Sequence, residues 1–128
     1  MKIDVTIGVV KKDEQILIVK RKEGEGNLRW QFPGGTLEDN ETDKQAVVRE
    51  VFEETGCTVI ANELLGQRNH PYTKKNMSYW ACLYVEGEIY ISDDDLEEAI
   101  WVNKDELLEY FSTPVYEPIL NYLGLAQK

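Results

Sequence analysis

Glu50, Glu53 and Glu54 lie within one stretch, Val48-Arg49-Glu50-Val51-Phe52-Glu53-Glu54-Thr55-Gly56. On an α-helix, Glu53 falls about 60° to one side of Glu50 and Glu54 about 40° to the other, so the carboxylates share an arc about 100° wide. Two carboxylates about 6 Å apart repel by roughly 3 kcal/mol at an effective dielectric of about 20. They also raise each other's pKa unless a cation sits between them. An oxygen-only cluster of this charge suits a hard divalent ion, Mg²⁺ with Mn²⁺ as a substitute, better than zinc. The alternative is a solvated acidic face on which Arg49 pairs with Glu53 at i, i+4. The context favours the metal. Pro33-Gly34-Gly35 and the acidic loop residues Glu38, Asp39 and Glu41 precede the segment, and a backbone carbonyl from such a turn can complete a metal shell.

These side chains need a helix to present them. Thr42 and Gln45 stand at capping-box spacing and Gly56 is placed as a left-handed terminator, which predicts a helix over 43–55. Val47, Val48, Val51 and Phe52 form an apolar stripe beside the acidic arc, and all are expected to be buried. Upstream, residues 3–10 and 16–20 read as the strands of a hairpin. The glycine-containing loop 23–27 follows, then a short strand over 28–32. Pro33-Gly34-Gly35 ends that strand, because proline cannot extend a ladder and glycine permits unusual backbone angles. Downstream, segments 57–67, 77–86 and 97–102 read as strands. Asn103 and Glu106 offer a cap for a helix to about residue 111, and a last helix follows Pro114. This order predicts an α+β fold, a mixed β-sheet flanked by helices on both sides.

The chain has 128 residues, the length of one domain over 1–128. Its hydrophobic content of 42% is that of a globular protein. Fourteen basic residues against 24 acidic ones give a net charge of −10, which disfavours nucleic acid as a partner. Cys57 and Cys82 are too few for a disulfide framework and read as two buried thiols in a reducing compartment. The N-terminus lacks a secretory pattern, and no apolar run approaches the roughly 18 residues of a membrane span. A cytoplasmic protein without membrane contact, monomeric or homodimeric, is expected.

Gly35, Glu41, Arg49-Glu50, Val51, Glu53-Glu54, Gly56 and Cys57 also stand at the spacing of the Nudix box. Every glycine and charged position of that signature is filled. The one departure is Cys57 where an aliphatic residue is usual, and cysteine is itself a small hydrophobe. Trp30-Gln31-Phe32-Pro33-Gly34-Gly35 resembles the strand that enters the box in MutT-type members. The resemblance implies an α/β/α sandwich and a Mg²⁺-dependent hydrolase of nucleoside diphosphates linked to another moiety. It implies Glu50, Glu53, Glu54 and the Gly35 carbonyl as metal ligands, Glu50 as the candidate base, Arg49 as the group that orients the carboxylates, and Glu41 as a brace of the loop–helix junction.

The same resemblance directs Arg21, Phe32 and Tyr116 towards the substrate. Arg21 closes the second strand, where an arginine can fork onto phosphate or be a strand-end surface charge. Tyr116 stands before Glu117-Pro118, where MutT carries a base-reading asparagine; its single hydroxyl cannot offer an amide's paired donor and acceptor. Asp95 and Glu98, in Asp93-Asp94-Asp95-Leu96-Glu97-Glu98, are candidates for a further metal carboxylate, the alternative being a solvated acidic loop. His70 reads as a loop hydrogen-bond former more than a substrate contact. The expected substrate is a small-molecule nucleotide, foremost a (d)NTP, oxidised forms included. The alternatives are ADP-ribose, a diadenosine polyphosphate, or a non-catalytic nucleotide sensor.

Overall fold

The computed structural model describes residues 1–22 and 29–125; the loop 23–27 and Leu28 lie outside the described residues. Seven strands form one sheet: β1 (Val5–Lys12), β2 (Gln15–Arg21), β3 (Trp30–Gln31), β4 (Gly34–Thr36), β5 (Thr58–Asn69), β6 (Asn76–Glu86) and β7 (Leu96–Asn103). Helix α1 (Asp43–Thr55) separates β4 from β5, a 3₁₀ turn covers Lys104–Glu109, and α2 spans Glu117–Leu123. The main path runs β3-β2-β1-β6-β5, with β4 on β1 and β7 on β2. The β1–β6 pair is parallel and the other pairs antiparallel, so the sheet is mixed as expected.

The hairpin has an opening that matters for the site. β1 and β2 pair only at Lys11↔Ile16 and Lys12↔Gln15, and beyond that they diverge. β3 fills the gap along β2, at Val19 and Lys20, and β4 fills it along β1, from Val5 to Ile7. β3 ends before Pro33 as expected, but Gly34 and Gly35 open a new strand, β4 on β1, and not a glycine turn. Neither has a positive φ. What glycine supplies is room: a Cβ on Gly34 would stand 2.2 Å from the Thr6 carbonyl oxygen.

Side-chain alternation splits the core between the two faces. On one face Val9, Ile16 and Ile18 pack with Leu107 of the 3₁₀ turn and Ile119, Leu120 and Leu123 of α2. On the other, Val10, Leu17, Val59 and Cys82 pack with Val47 and Val51 of α1. The helical elements thus cover both faces, as the α/β/α sandwich requires. Cys57 and Cys82 are buried and unpaired.

Helix α1 has the predicted bounds and both halves of its capping box: Thr42 Oγ1 accepts the Gln45 N–H, and the Gln45 side chain accepts the Thr42 N–H. Gly56 closes it at φ 78°. One expectation fails. Phe52 is 55% exposed, while Glu54 is 3% exposed. The buried arc runs through Ala46, Glu54, Val47, Val51 and Thr55, so it includes an acid and stops short of Phe52. At the C-terminal end, Asn103 caps the Asp105 N–H, but the turn it starts is 3₁₀ and ends at Glu109.

Candidate active site

Where β4 passes α1, its backbone meets the acidic face. The Gly34 N–H donates to Glu54 Oε1 at 2.8 Å. A Cβ on Gly35 would stand 2.4 Å from Glu50 Oε2, so Glu50 lies directly against that residue. Arg49 gathers the surrounding acids. Its Nε and Nη2 grip both oxygens of Glu41 at 2.7 and 2.9 Å. Its Nη1 donates to Glu50 Oε1 at 2.7 Å and to Glu53 Oε2 at 3.1 Å, and Nη2 reaches the Thr36 carbonyl at 3.2 Å. The i, i+4 pair with Glu53 is thus present, but as one contact of a guanidinium that ties loop, strand and helix together. Arg21 performs the same service for Glu54: its Nη2 donates to Oε2 at 3.2 Å, and its Nε donates to Gln31 Oε1 at 3.0 Å.

The electrostatics follow from these contacts. The hydrogen bonds from Arg49 hold the Glu41 carboxyl down at about 2. Burial pushes Glu54 up to about 7, against the Gly34 N–H and Arg21, while Glu50 and Asp93 add negative charge. Burial also raises Glu50, opposed by Arg49. Buried carboxyls whose ionisation is opposed by desolvation mark a candidate functional site. No three His, Cys, Asp or Glu side chains among the described residues converge into a ready-made ion cage. The donors beside Gly35 are all oxygens, so the site fits a hard divalent cation.

Gly34 and Gly35 also form one wall of a cleft of about 470 Å³ on the α2 face of the sheet. Arg21, Phe32 and Tyr116 all line it, alongside Trp30, Arg68, Tyr79 and Phe111. Phe32 packs edge-on against Phe111, with ring centroids 4.9 Å apart, and Tyr116 lies on Tyr79 at 4.5 Å. No aspartate or glutamate lines the cleft among the described residues.

Two candidates from the acidic loop stand elsewhere. Glu98 pairs across β2–β7 with Lys20 and forms an ion pair with its Nζ at 3.7 Å, half exposed. Lys20 in turn lies over Trp30, on the α2 side of the sheet and away from Glu54. Asp95 engages locally, its N–H donating to Asp93 Oδ1 and its carbonyl accepting from the Lys22 N–H. The loop residue whose charge acts on Glu54 is Asp93. His70 Nδ1 accepts the Tyr72 and Thr73 N–H groups, the loop role expected of it. Sequence reasoning missed Asp93, Gln31 and Arg68. Gln31 follows from its pairing with Val19 across β2–β3, whereas Asp93 lies in the loop ahead of β7.

Among the described residues no helix is long and apolar enough to cross a membrane. Residues 2–123 match the model of the NUDIX domain family. The chain is 26% identical to an 8-oxo-dGTP diphosphatase of Escherichia coli K12, over 93% of this chain and 94% of that one. It is 42% identical to an ADP-ribose pyrophosphatase of Methanocaldococcus jannaschii, over 50% of this chain and 38% of that one. Its fold superposes on a MutT protein from Methanosarcina mazei Go1 with a TM-score of 0.72 at 26% identity, covering 95% and 92% of the two chains. Against several other curated relatives the matches span only 26 to 38% of those proteins' length.

Proposed function

The chain belongs to the NUDIX domain family, and on that premise we propose that it is a MutT-type hydrolase that cleaves a nucleoside triphosphate to the monophosphate and pyrophosphate. One observation carries this reading. Gly34 and Gly35 belong at once to the carboxylate cluster and to the wall of an aromatic cleft, so a nucleotide in the cleft brings its phosphates to the acids. The near full-length likeness to an 8-oxo-dGTP diphosphatase supports the substrate class.

Members of the family generally use divalent metal ions. Glu50, Glu53, Glu54 and the Gly35 carbonyl would hold the ion here, Mg²⁺ foremost and Mn²⁺ in its place. Such an ion would neutralise pyrophosphate charge, polarise the P–O bond and lower the pKa of a bound water. The chain's own residues do the positioning. Arg49 fixes Glu50 through Oε1, which leaves Oε2, beside Gly35, to take the proton of the attacking water. Burial raises the Glu50 pKa and makes it a stronger base than a solvated carboxylate. Arg21 holds Glu54 from the cleft side, and Phe32 and Tyr116 supply apolar walls.

Phosphate release from the dNTPs, 8-oxo-dGTP, ADP-ribose and diadenosine polyphosphates, each with Mg²⁺, tests the proposal. Pyrophosphate from a triphosphate is the expected product. Turnover confined to ADP-ribose overturns the substrate class, and nucleotide binding without product, even with Mn²⁺, overturns catalysis.

A further inference from the structure

The chain has four arginines, Arg21, Arg29, Arg49 and Arg68. The first three each hold a glutamate: Arg21 holds Glu54, Arg29 holds Glu97, and Arg49 holds Glu41, Glu50 and Glu53. Arg68 has no carboxylate partner among the described residues, in a chain with 24 acids. It is nevertheless fixed. Its Cζ lies 4.4 Å from the Tyr116 ring centroid and 5.4 Å from that of Tyr79, and its Nε donates to Tyr79 Oη at 3.0 Å. The seat is built into the fold. A Cβ on Gly66, two residues before Arg68, would stand 2.7 Å from Tyr116 Oη, so only glycine lets the Tyr116 ring lie down there. Stacking and the Nε bond orient the guanidinium plane, while its two Nη groups have no protein hydrogen-bond partner among the described residues. An arginine fork held this way is a preorganised pair of parallel donors.

Its distance from the acids says which part of a nucleotide reaches it. The cleft floor follows one register row, Thr36↔Val5↔Met77↔Arg68, across β4, β1, β6 and β5. Three strand spacings put Arg68 about 14 Å from the strand that meets the carboxylates. Phosphates placed at Gly35 leave the base, not the anhydride, at the Arg68 end, and the walls between are aromatic.

We propose that Arg68 is the base-reading residue, and that its fork selects a nucleobase edge with two adjacent acceptors. Guanine offers N7 and O6, and cytosine offers N3 and O2. Adenine and uracil set a donor beside each acceptor. Oxidation of guanine at C8 puts a hydrogen on N7, so 8-oxoguanine loses the acceptor pair and is disfavoured against guanine. This rests on the nucleotide-hydrolase reading above and narrows its substrate.

The test compares the parent with Arg68→Lys, which keeps the charge and removes the fork. kcat/KM is measured for GTP, CTP, ATP, UTP and 8-oxo-dGTP against dGTP. Binding of GMP, CMP, AMP and UMP is followed separately by isothermal titration calorimetry. Arg68→Lys should lose roughly 5- to 150-fold on GTP and CTP, the range of a bidentate base contact, and change by less than about two-fold on ATP and UTP. An equal loss on all four bases places Arg68 on phosphate or ribose and overturns the proposal, as does no loss. If the variant does not fold, the parent decides: GMP and CMP must bind more tightly than AMP and UMP, and dGTP must be preferred over 8-oxo-dGTP. Base-selective binding without hydrolysis leaves this inference standing and refutes the hydrolase reading. Hydrolysis without base preference does the reverse.

Discussion

Alanine at Gly35 and alanine at Gly34 should separate the chemistry of the site from its folding, although the two residues are neighbours in β4. At Gly35 the new Cβ would stand 2.4 Å from Glu50 Oε2 and 2.6 Å from its Cδ. Those atoms are the free end of a flexible side chain, so the carboxylate swings away and the backbone stays. The swing breaks the 2.7 Å bond from Arg49 Nη1, but Arg49 keeps Glu41 at 2.7 and 2.9 Å. One charge-assisted hydrogen bond at a half-buried site is worth about 1.5–3 kcal/mol. Replacing glycine at an ordinary backbone angle returns about 0.4–1 kcal/mol. The net loss is about 1–2 kcal/mol, or roughly 3–8 °C in Tm for a chain of this size. Turnover should drop about 100-fold or more, because a displacement of about 1 Å at a reacting group suffices for that. At Gly34 the Cβ would stand 2.2 Å from the Thr6 carbonyl oxygen and 2.9 Å from Ile7 Cα. Both are backbone, so β4 must leave β1 and the Gly34 N–H must leave the buried Glu54. A loss of about 3 kcal/mol or more follows. Thermal melts by circular dichroism, with pyrophosphate release at saturating Mg²⁺, read both quantities. Gly35→Ala with parental kcat/KM would refute the role assigned to Glu50 against Gly35. Gly34→Ala with a parental Tm would refute the close approach of β4 and β1.

Three further perturbations test the charge arrangement. The Glu54 carboxyl sits at about 7 in the fold, chiefly through burial, against 4.5 in the free residue, so between those values the folded protein binds the extra proton. Its contribution is full below pH 4.5 and is lost as pH rises through about 7. Without divalent ions Tm should therefore fall between about pH 5 and about pH 8, and Glu54→Gln should flatten that slope. Glu41 has the opposite sign: held at about 2 by Arg49, it stabilises above the ordinary carboxylate range and stops doing so as pH falls through about 2. Glu41→Gln should cost about 1–3 kcal/mol near neutrality in urea unfolding, with the difference from the parent vanishing in strong acid. Arg49→Lys keeps the charge but cannot grip Glu41 with two donors while reaching Glu50, Glu53 and the Thr36 carbonyl. It should destabilise by about 2–4 kcal/mol and cut turnover at least tenfold, both measured on the same preparation.

Much of the frame was readable because local signals agree with one another. The Thr42–Gln45 box and Gly56 mark both ends of α1, and the β-branched runs mark the strands. What went wrong depended on where neighbours lie. A helical wheel orders side chains around an axis but does not say which arc meets the sheet, so Phe52 was expected inside and Glu54 was not expected at the centre of the buried arc. Gly34 and Gly35 look the same in sequence whether they serve a turn or a close approach between strands. Glu98 stands within β7 opposite Lys20 on the α2 side and Asp93 in the loop before that strand, and where the strand begins within an acidic run is not marked by residue type. Arg68 has no local mark at all. Its significance lies in the carboxylate it lacks, which is visible only once the partners of the other arginines are known.

The distribution of those arginines resolves a tension in the composition. A chain of net charge −10 repels polyanions at long range, yet its cleft must admit a nucleotide. Long-range repulsion between exposed charges is screened over about 8 Å at physiological ionic strength, so a bound ligand responds mainly to what lines its own pocket. That lining holds Arg21 and Arg68 and no acid among the described residues, while the carboxylates sit just behind Gly34 and Gly35 with Arg21 and Arg49 already neutralising part of their charge. At the site the acids are thus confined to a place where a divalent cation can stand between them and a phosphate.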